Sequence, residues 1–275
     1  MSLEDRRSLI KDIISTQGQV ELSDLAERFS VSQMTIRRDL KALEAQGLLR
    51  RIVAGAIATE RKTQEPAFAA RAFAAIRGKK HIASALAEYI RPHEAVFFDG
   101  GSTALAVARA LKGRRLGLTV VTRSLFVALE FMNDPDTQIY LLGGRMKQAE
   151  VLTISTSPTD ELENYNVDTF VMGIGGIHPV KGLTDYDPDE AAGKRTAMRQ
   201  ADRILVGFDE SKFGRVLLVK VADIDQVSVL VTDAKPTNPL LHLLPPSVKV
   251  HFVESDNSSG HTAGQVAEGS GGGFL

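Results

Sequence analysis

From Lys79 to Asp233 the chain alternates short apolar runs with helical patterns, and this alternation leaves it few folds to choose from. HIASALAEYI reads as a helix, AVFFD as a strand and TALAVARAL as a helix. LTVVT, LFVALEFM and IYLLGG follow as strand, helix and strand, and TFVMGI, ILVGFD and VSVLVTD are further strands. Strands this short and this apolar are buried on both faces, with the intervening helices as their cover. The expected architecture is α/β, with a mostly parallel sheet.

Ligands of such sheets bind at the carboxyl ends of the strands. Here the polar and glycine residues gather at those ends. Asp99, Gly100, Gly101, Ser102 and Thr103 follow the first strand, and Thr122, Arg123 and Ser124 the second. Gly143, Gly144 and Arg145 follow the third, Gly173 to Gly176 the fourth, and Asp209 to Lys212 the fifth. In the first loop two glycines let backbone approach a ligand, and two hydroxyls stand where the free amides of a helix start favour an anion. An ordinary strand-to-helix turn with a Ser/Thr cap has the same composition. Lys212 can meet a phosphate or pair with Asp209. Glu190 and Lys194, at i and i+4, suit a ligand or a plain helix pair. Convergence on one rim points to a small phosphorylated ligand held by the Asp99–Thr103 loop, Thr122, Ser124, Gly144, Glu190, Lys194 and Lys212.

The amino-terminal part follows another pattern. Leu9, Ile10, Ile13 and Ile14 recur at helical spacing before Gly18, and ELSDLAERF turns Leu22, Leu25, Ala26 and Phe29 inward. After the turn Ser30-Val31-Ser32 a third helix runs to a stop at Gly47. Ser32 is its expected N-cap, and Ile36, Leu40 and Leu43 form one apolar stripe. Met34, Arg37, Arg38 and Lys41 fall on the opposite side at roughly 100° per residue. Two helices with a tight turn before a third make the helix-turn-helix pattern, and LLRRIVAGAIAT suits a two-stranded wing. Overall charge says little, since the chain carries a net −1 and residues 1–62 hold eleven cations against nine anions. The signal is local: Arg37, Arg38, Lys41, Arg50 and Arg51 stand against Asp39 and Glu44 between Val31 and Arg51. A double-stranded DNA partner is expected at Ser32, Gln33, Met34, Thr35, Arg37, Arg38, Lys41, Arg50 and Arg51.

The expected organisation is a DNA-binding domain over 1–58, a linker over 59–78, an α/β sensor domain over 79–254 and a disordered Gly/Ser-rich tail over 255–275. No cysteine is present and the six histidines are scattered, which excludes disulfides and thiolate metal sites; no metal, cofactor or catalytic residue is assigned. MSLEDRRSLI lacks the apolar core of a secretory signal and no apolar run suits a bilayer span, so a cytoplasmic protein is expected. There is no G-x-S-x-G elbow, Walker loop or G-x-G-x-x-G after a strand. Glu190, Asp209 and Lys212 would still suit acid/base work on a sugar phosphate, so an isomerase-like enzyme with an accessory DNA-binding module is the alternative.

FSVSQMTIRRDLKALEAQGLLRR resembles the DNA-binding signature of the deoxyribose-regulator (DeoR) family of bacterial transcriptional repressors. FFDGGST, VVTRS, LLGG, DEAAGKRTAM and DESKFG resemble that family's sensor domain, in its order, so the likeness spans about residues 5 to 235. The resemblance implies a winged helix-turn-helix, a sensor related to sugar-phosphate isomerases, an oligomer of at least two copies, and a phosphorylated sugar or polyol effector. LTDYDPDEAAGKR and DESKFGR look nearest the glycerol-phosphate-responsive branch. Three departures stand out. The wing reads Arg51-Ile52-Val53-Ala54-Gly55-Ala56 in place of R-x-H-G-G-A, Arg123 stands where the family often has Asn, and no glycine lies between Gly144 and Asp168.

Overall fold

The computed structural model describes residues 3–17, 19–45, 49–58, 65–66, 68–73, 76–156 and 161–254. The helix stops expected at Gly18 and Gly47, most of the expected linker and the tail 255–275 lie outside these residues. The chain divides into two compact units. One comprises Met1–Ile76 with Gln148–Glu150, the other Arg77–Lys147 with Val151–Leu275.

The first unit contains α1 (Leu3–Gln17), β1 (Gln19–Glu21), α2 (Leu22–Phe29), α3 (Gln33–Ala45), β2 (Leu49–Ile52), β3 (Gly55–Ala58) and α4 (Phe68–Phe73). Ile10 and Ile14 of α1, Leu25 of α2 and Ile36, Leu40 and Leu43 of α3 share one core. Leu9, one of the four apolar residues at helical spacing, is exposed, because the stripe of α1 centres on Ile10 and Ile14. Ser30 ends α2 with φ 51°, and the Val31 amide closes back on the Ala26 carbonyl at 3.0 Å. The strands form an antiparallel sheet in the order β1-β3-β2. At Gly55 an added Cβ would lie 1.9 Å from the Val20 carbonyl oxygen, so the wing's surviving glycine is the one the β1–β3 approach requires.

The second unit contains α5 (Ile76–Ala87), β4 (Ala95–Phe98), α6 (Ser102–Leu111), β5 (Thr119–Thr122), α7 (Leu125–Phe131), β6 (Gln138–Leu141), β7 (Arg145–Lys147) and β8 (Leu152–Ile154). It continues with β9 (Val167–Gly173), β10 (Gly176–His178), β11 (Gly182–Asp185), α8 (Pro188–Arg199), β12 (Ala201–Phe208), β13 (Val219–Ala222), β14 (Val229–Thr232) and β15 (Lys249–Phe252). Seven strands form the main sheet in the order β15-β14-β12-β9-β4-β5-β6, every pair parallel. Phe97, Phe170, Met172, Val206, Phe208 and Leu230 are buried along its central strands. All carboxyl ends therefore lie on one edge. The expected helix HIASALAEYI starts earlier, at Ile76, and stops at Ala87, where the Tyr89 and Ile90 amides tighten onto carbonyls three residues back. β15, the hairpin β7–β8 and a small antiparallel sheet of β10, β11 and β13 add to the expected elements.

Candidate functional site

In the first unit α3 starts as its sequence predicts. The Ser32 hydroxyl accepts from the Thr35 amide at 3.2 Å and lies 3.0 Å from the Thr35 hydroxyl. Burying Ile36, Leu40 and Leu43 turns Gln33, Arg37, Arg38 and Lys41 to solvent, and Met34 is 59 % exposed. Neither anion of the stretch opposes these cations. Asp39 points into the unit and is 1 % exposed, its oxygens taking the Arg6 and Arg7 Nε atoms at 2.7 and 2.9 Å. Glu44 is held by Arg51, whose amide donates at 2.8 Å and whose Nε donates at 2.6 Å. The Arg51 amide first, and its guanidinium second, keep the Glu44 carboxyl below its usual range. Arg51 is thus engaged within the unit. Arg50 lies in β2, its side chain outside the described atoms. The result is an exposed helix face with three cations, preceded by a tight turn and followed by a wing.

In the second unit a cavity of about 300 Å³ opens at the carboxyl edge of the sheet. Phe97, Asp99 and Gly100 line it at the end of β4, Arg123 at the end of β5, and Leu152 to Ser155 along β8. Helix α8 contributes Asp189, Glu190, Gly193, Lys194 and Thr196. The helix is placed by a strong start signal: Asp187 accepts from the Asp189 and Glu190 amides at 2.8 and 3.2 Å, and Pro188 follows in the first turn.

Lys194 ties this helix to the sheet. Its Nζ donates to the Gly173 carbonyl at 2.8 Å and to Asp185 at 2.5 Å, and lies 3.2 Å from Asp99. Asp99 also accepts the Gly173 amide at 3.1 Å. Burial works against the ammonium charge, but Asp185, Asp99 and Glu190 outweigh it and raise the lysine above its ordinary range. The plain helix pair of Glu190 and Lys194 gives way to other partners: Glu190 takes Lys147 of β7 at 2.5 Å, with Lys194 acting on it as a nearby charge. Lys147 also donates to Asp187 at 2.7 Å. Burial lifts the Glu190 carboxyl above its usual range, with Lys194 and Lys147 pulling it back only in part.

Of the candidate effector residues, Asp99, Gly100, Glu190 and Lys194 line the cavity. Gly101, Ser102 and Thr103 open α6 and are not part of that lining. Thr122 and Ser124 are fully buried: the Thr122 hydroxyl donates to the Phe98 carbonyl and takes the Ser124 amide, while Ser124 caps α7. Gly144, with φ 135°, admits the hairpin, because an added Cβ would lie 2.1 Å from the Ile154 carbonyl oxygen. Lys212 sits in a short 3₁₀ turn after β12, half-buried and outside the cavity lining. Arg123, Lys147, Thr153, Ser155 and Asp189 complete or brace the site. Of these, Arg123 is signalled in the sequence by its place after a strand and Asp189 by the D-P-D-E helix start; Lys147, Thr153 and Ser155 carry no such signal.

A winged helix-turn-helix carried with an α/β unit that holds a polar cavity is the make-up of a ligand-responsive DNA-binding regulator. The DeoR-like helix-turn-helix domain matches residues 6–62 and the DeoR C-terminal sensor domain residues 74–234. The chain belongs to the DeoR family of transcriptional regulators. It is 32 % identical over 244 residues to the glycerol-3-phosphate regulon repressor of Escherichia coli K12, covering 89 % of this chain and 96 % of that one. It is 31 % identical over 253 residues to the transcriptional repressor AccR of Agrobacterium fabrum, covering 92 % and 97 %. Ribose 5-phosphate isomerase A of Methanocaldococcus jannaschii aligns at TM-score 0.37 and 16 % identity over 49 % of this chain and 53 % of that one, too distant to speak for chemistry. No helix of the described residues is long and apolar enough to cross a membrane.

Proposed function

We propose that this protein represses genes of carbohydrate or polyol metabolism and is released from DNA by a phosphorylated sugar or polyol. The observation that carries the reading is the pairing, in one chain, of the cationic outer face of α3 with the cavity at the strand ends. Gln33, Met34, Thr35, Arg37 and Arg38 meet base edges and backbone, and Lys41 and Arg50 meet phosphates, while Arg51, expected among them, is held by Glu44. The protein acts in the cytoplasm as a homo-oligomer of at least two copies, presenting two reading helices one helical turn apart. The regulons named for its relatives support the choice of effector class.

In the cavity, Asp99, Asp189 and Glu190 face the ligand's hydroxyls, since carboxylates accept hydrogen bonds and repel phosphate. The phosphate goes to the Gly100–Thr103 loop, with Arg123 as the cation on the cavity wall and Lys212 after a neighbouring strand. Effector binding favours one state of the chain and weakens the DNA complex through residues 59–78. No catalytic step is assigned.

The test is a gel shift on a duplex that the protein selects from a random-sequence pool, with a panel of sugar and polyol phosphates. One of them dissociates the complex, and the purified protein leaves ketose and aldose phosphates unconverted. If no phosphate alters the shift, the sensor reading fails. Turnover would favour the isomerase-like alternative.

A further inference from the structure

Arg6 and Arg7 are consecutive on α1, and consecutive helical residues point about 100° apart. Both nevertheless end on one carboxylate, that of Asp39, each taking a different oxygen at 2.7 and 2.9 Å. Two guanidiniums of α1 thus hold the two oxygens of a single carboxylate of α3. Asp39 is 1 % exposed and sits between Arg38 and Lys41, two of the cations on the outer face.

An ion triad around a buried carboxylate, with Arg6 nearly buried and Arg7 partly so, is a poor way to hold a small domain together. Desolvating three charges costs about as much as their attraction returns, and apolar side chains of similar volume serve stability as well or better. What such a group does supply is one geometry in place of several, because sliding or rolling the helix strands a charge in the core. The apolar stripe of Ile36, Leu40 and Leu43 has no such directionality.

We propose that Asp39 is a positioning residue for DNA reading: clamped by Arg6 and Arg7, it sets the roll and axial placement of α3, and with them which base edges Gln33, Met34 and Arg37 reach. The inference rests on α3 being the reading helix. It assigns Arg6 and Arg7 to the clamp and not to phosphate, and removes Asp39 from any direct role in the DNA contact.

The test compares the full-length protein with Arg7→Gln, Asp39→Asn and the double replacement Arg6→Met with Asp39→Leu. Affinity is measured for the duplex selected by the wild type and for a random duplex of equal length, across a salt series. The clamp predicts that each variant loses about tenfold or more on the selected duplex, the scale of one good base contact. Affinity for the random duplex stays level or rises, and the salt dependence keeps its slope. The apolar double variant keeps a wild-type melting transition while losing discrimination. Three results overturn the proposal: equal losses on both duplexes, which mark a purely structural role; unchanged discrimination; or a slope reduced by about one in Arg7→Gln, which marks a phosphate ligand. If the wild type selects no sequence from the pool, the reading of α3 as the DNA-reading helix fails instead.

Discussion

Lys147, on the first strand of the β7–β8 hairpin, lies 2.5 Å from Glu190 in the first turn of α8, and this pair fixes the two walls of the cavity against each other. The same ammonium holds the N-cap residue Asp187. One side chain therefore braces the start of α8 and holds the hairpin that carries Leu152 to Ser155 along the cavity. Burial alone would lower this lysine, but its bonds to Asp187 and Glu190 more than compensate and raise it above its ordinary range.

Lys147→Met should therefore weaken effector binding and leave DNA binding unchanged. Removing the ammonium leaves Glu190 in its buried place with Lys194 as its remaining cationic neighbour, and loosens the hairpin wall. Effector affinity is expected to fall about tenfold or more, the worth of a charge-assisted hydrogen bond in a partly buried site. The effector concentration needed to dissociate the selected duplex measures this. Wild-type release by Lys147→Met would show that the hairpin wall plays no part in binding.

Glu190→Gln gives a pH signature. The folded carboxyl has a raised pKa, so between its ordinary range and the raised value the folded state binds more protons than the unfolded one. Wild-type stability consequently falls as pH rises through that window, by linkage. The glutamine side chain keeps an acceptor for Lys147 and carries no charge to desolvate. The variant is expected to match the wild type at low pH and to exceed it at neutral pH. Melting midpoints across a pH series decide this, and parallel curves would show that Glu190 is not the group responsible.

Much of this arrangement is legible in the sequence, because burial periodicity and strand-end chemistry are local signals. Ile36, Leu40 and Leu43 place α3, and the loop at Asp99–Gly100 reaches the cavity as its position after a strand implies. What stays hidden depends on partners far apart in sequence. Asp39 and Glu44 look like anions spoiling a cationic face until Arg6, Arg7 and Arg51 are seen to take them. Glu190 and Lys194 are a helix pair by spacing, but Lys147 and Asp185 compete for them with better geometry. The β7–β8 hairpin has three-residue strands and mixed polarity, too short for a period of two to register.

Lys194→Met should be severe. Its removal leaves Asp99 and Asp185 buried beside each other with no cation between them, and deprives the Gly173 carbonyl of its ammonium donor. Breaking one side of such a buried pair costs about 3–5 kcal/mol. Denaturant unfolding should show that loss as a lower midpoint for the second unit. A change under about 1 kcal/mol would mean that the carboxylates regain water when the lysine goes.

Lys212→Ala tests the phosphate assignment directly. Lys212 follows β12 on the same sheet edge as the cavity but is not part of the cavity lining. The variant should bind the selected duplex like the wild type and need about tenfold or more effector for release, the worth of one charge-assisted hydrogen bond to phosphate. A normal response would leave the phosphate to the Gly100–Thr103 loop and Arg123.

Arg38→Ala and Glu44→Gln should move DNA binding in opposite directions. Arg38 is exposed on the outer face of α3, so its truncation removes a DNA-facing cation outright, with binding to the selected duplex reduced about tenfold or more. Glu44 instead holds the Arg51 guanidinium through Nε at 2.6 Å and takes the Arg51 amide at 2.8 Å. Replacing it with glutamine weakens that hold and removes an anion from beside the cationic face, so Arg51 becomes available to a phosphate. Glu44→Gln is expected to bind DNA more tightly at low salt and to steepen the salt dependence by about one counterion. An unchanged slope with unchanged affinity would place Arg51 as a brace for β2 against α3, with no part in the DNA contact.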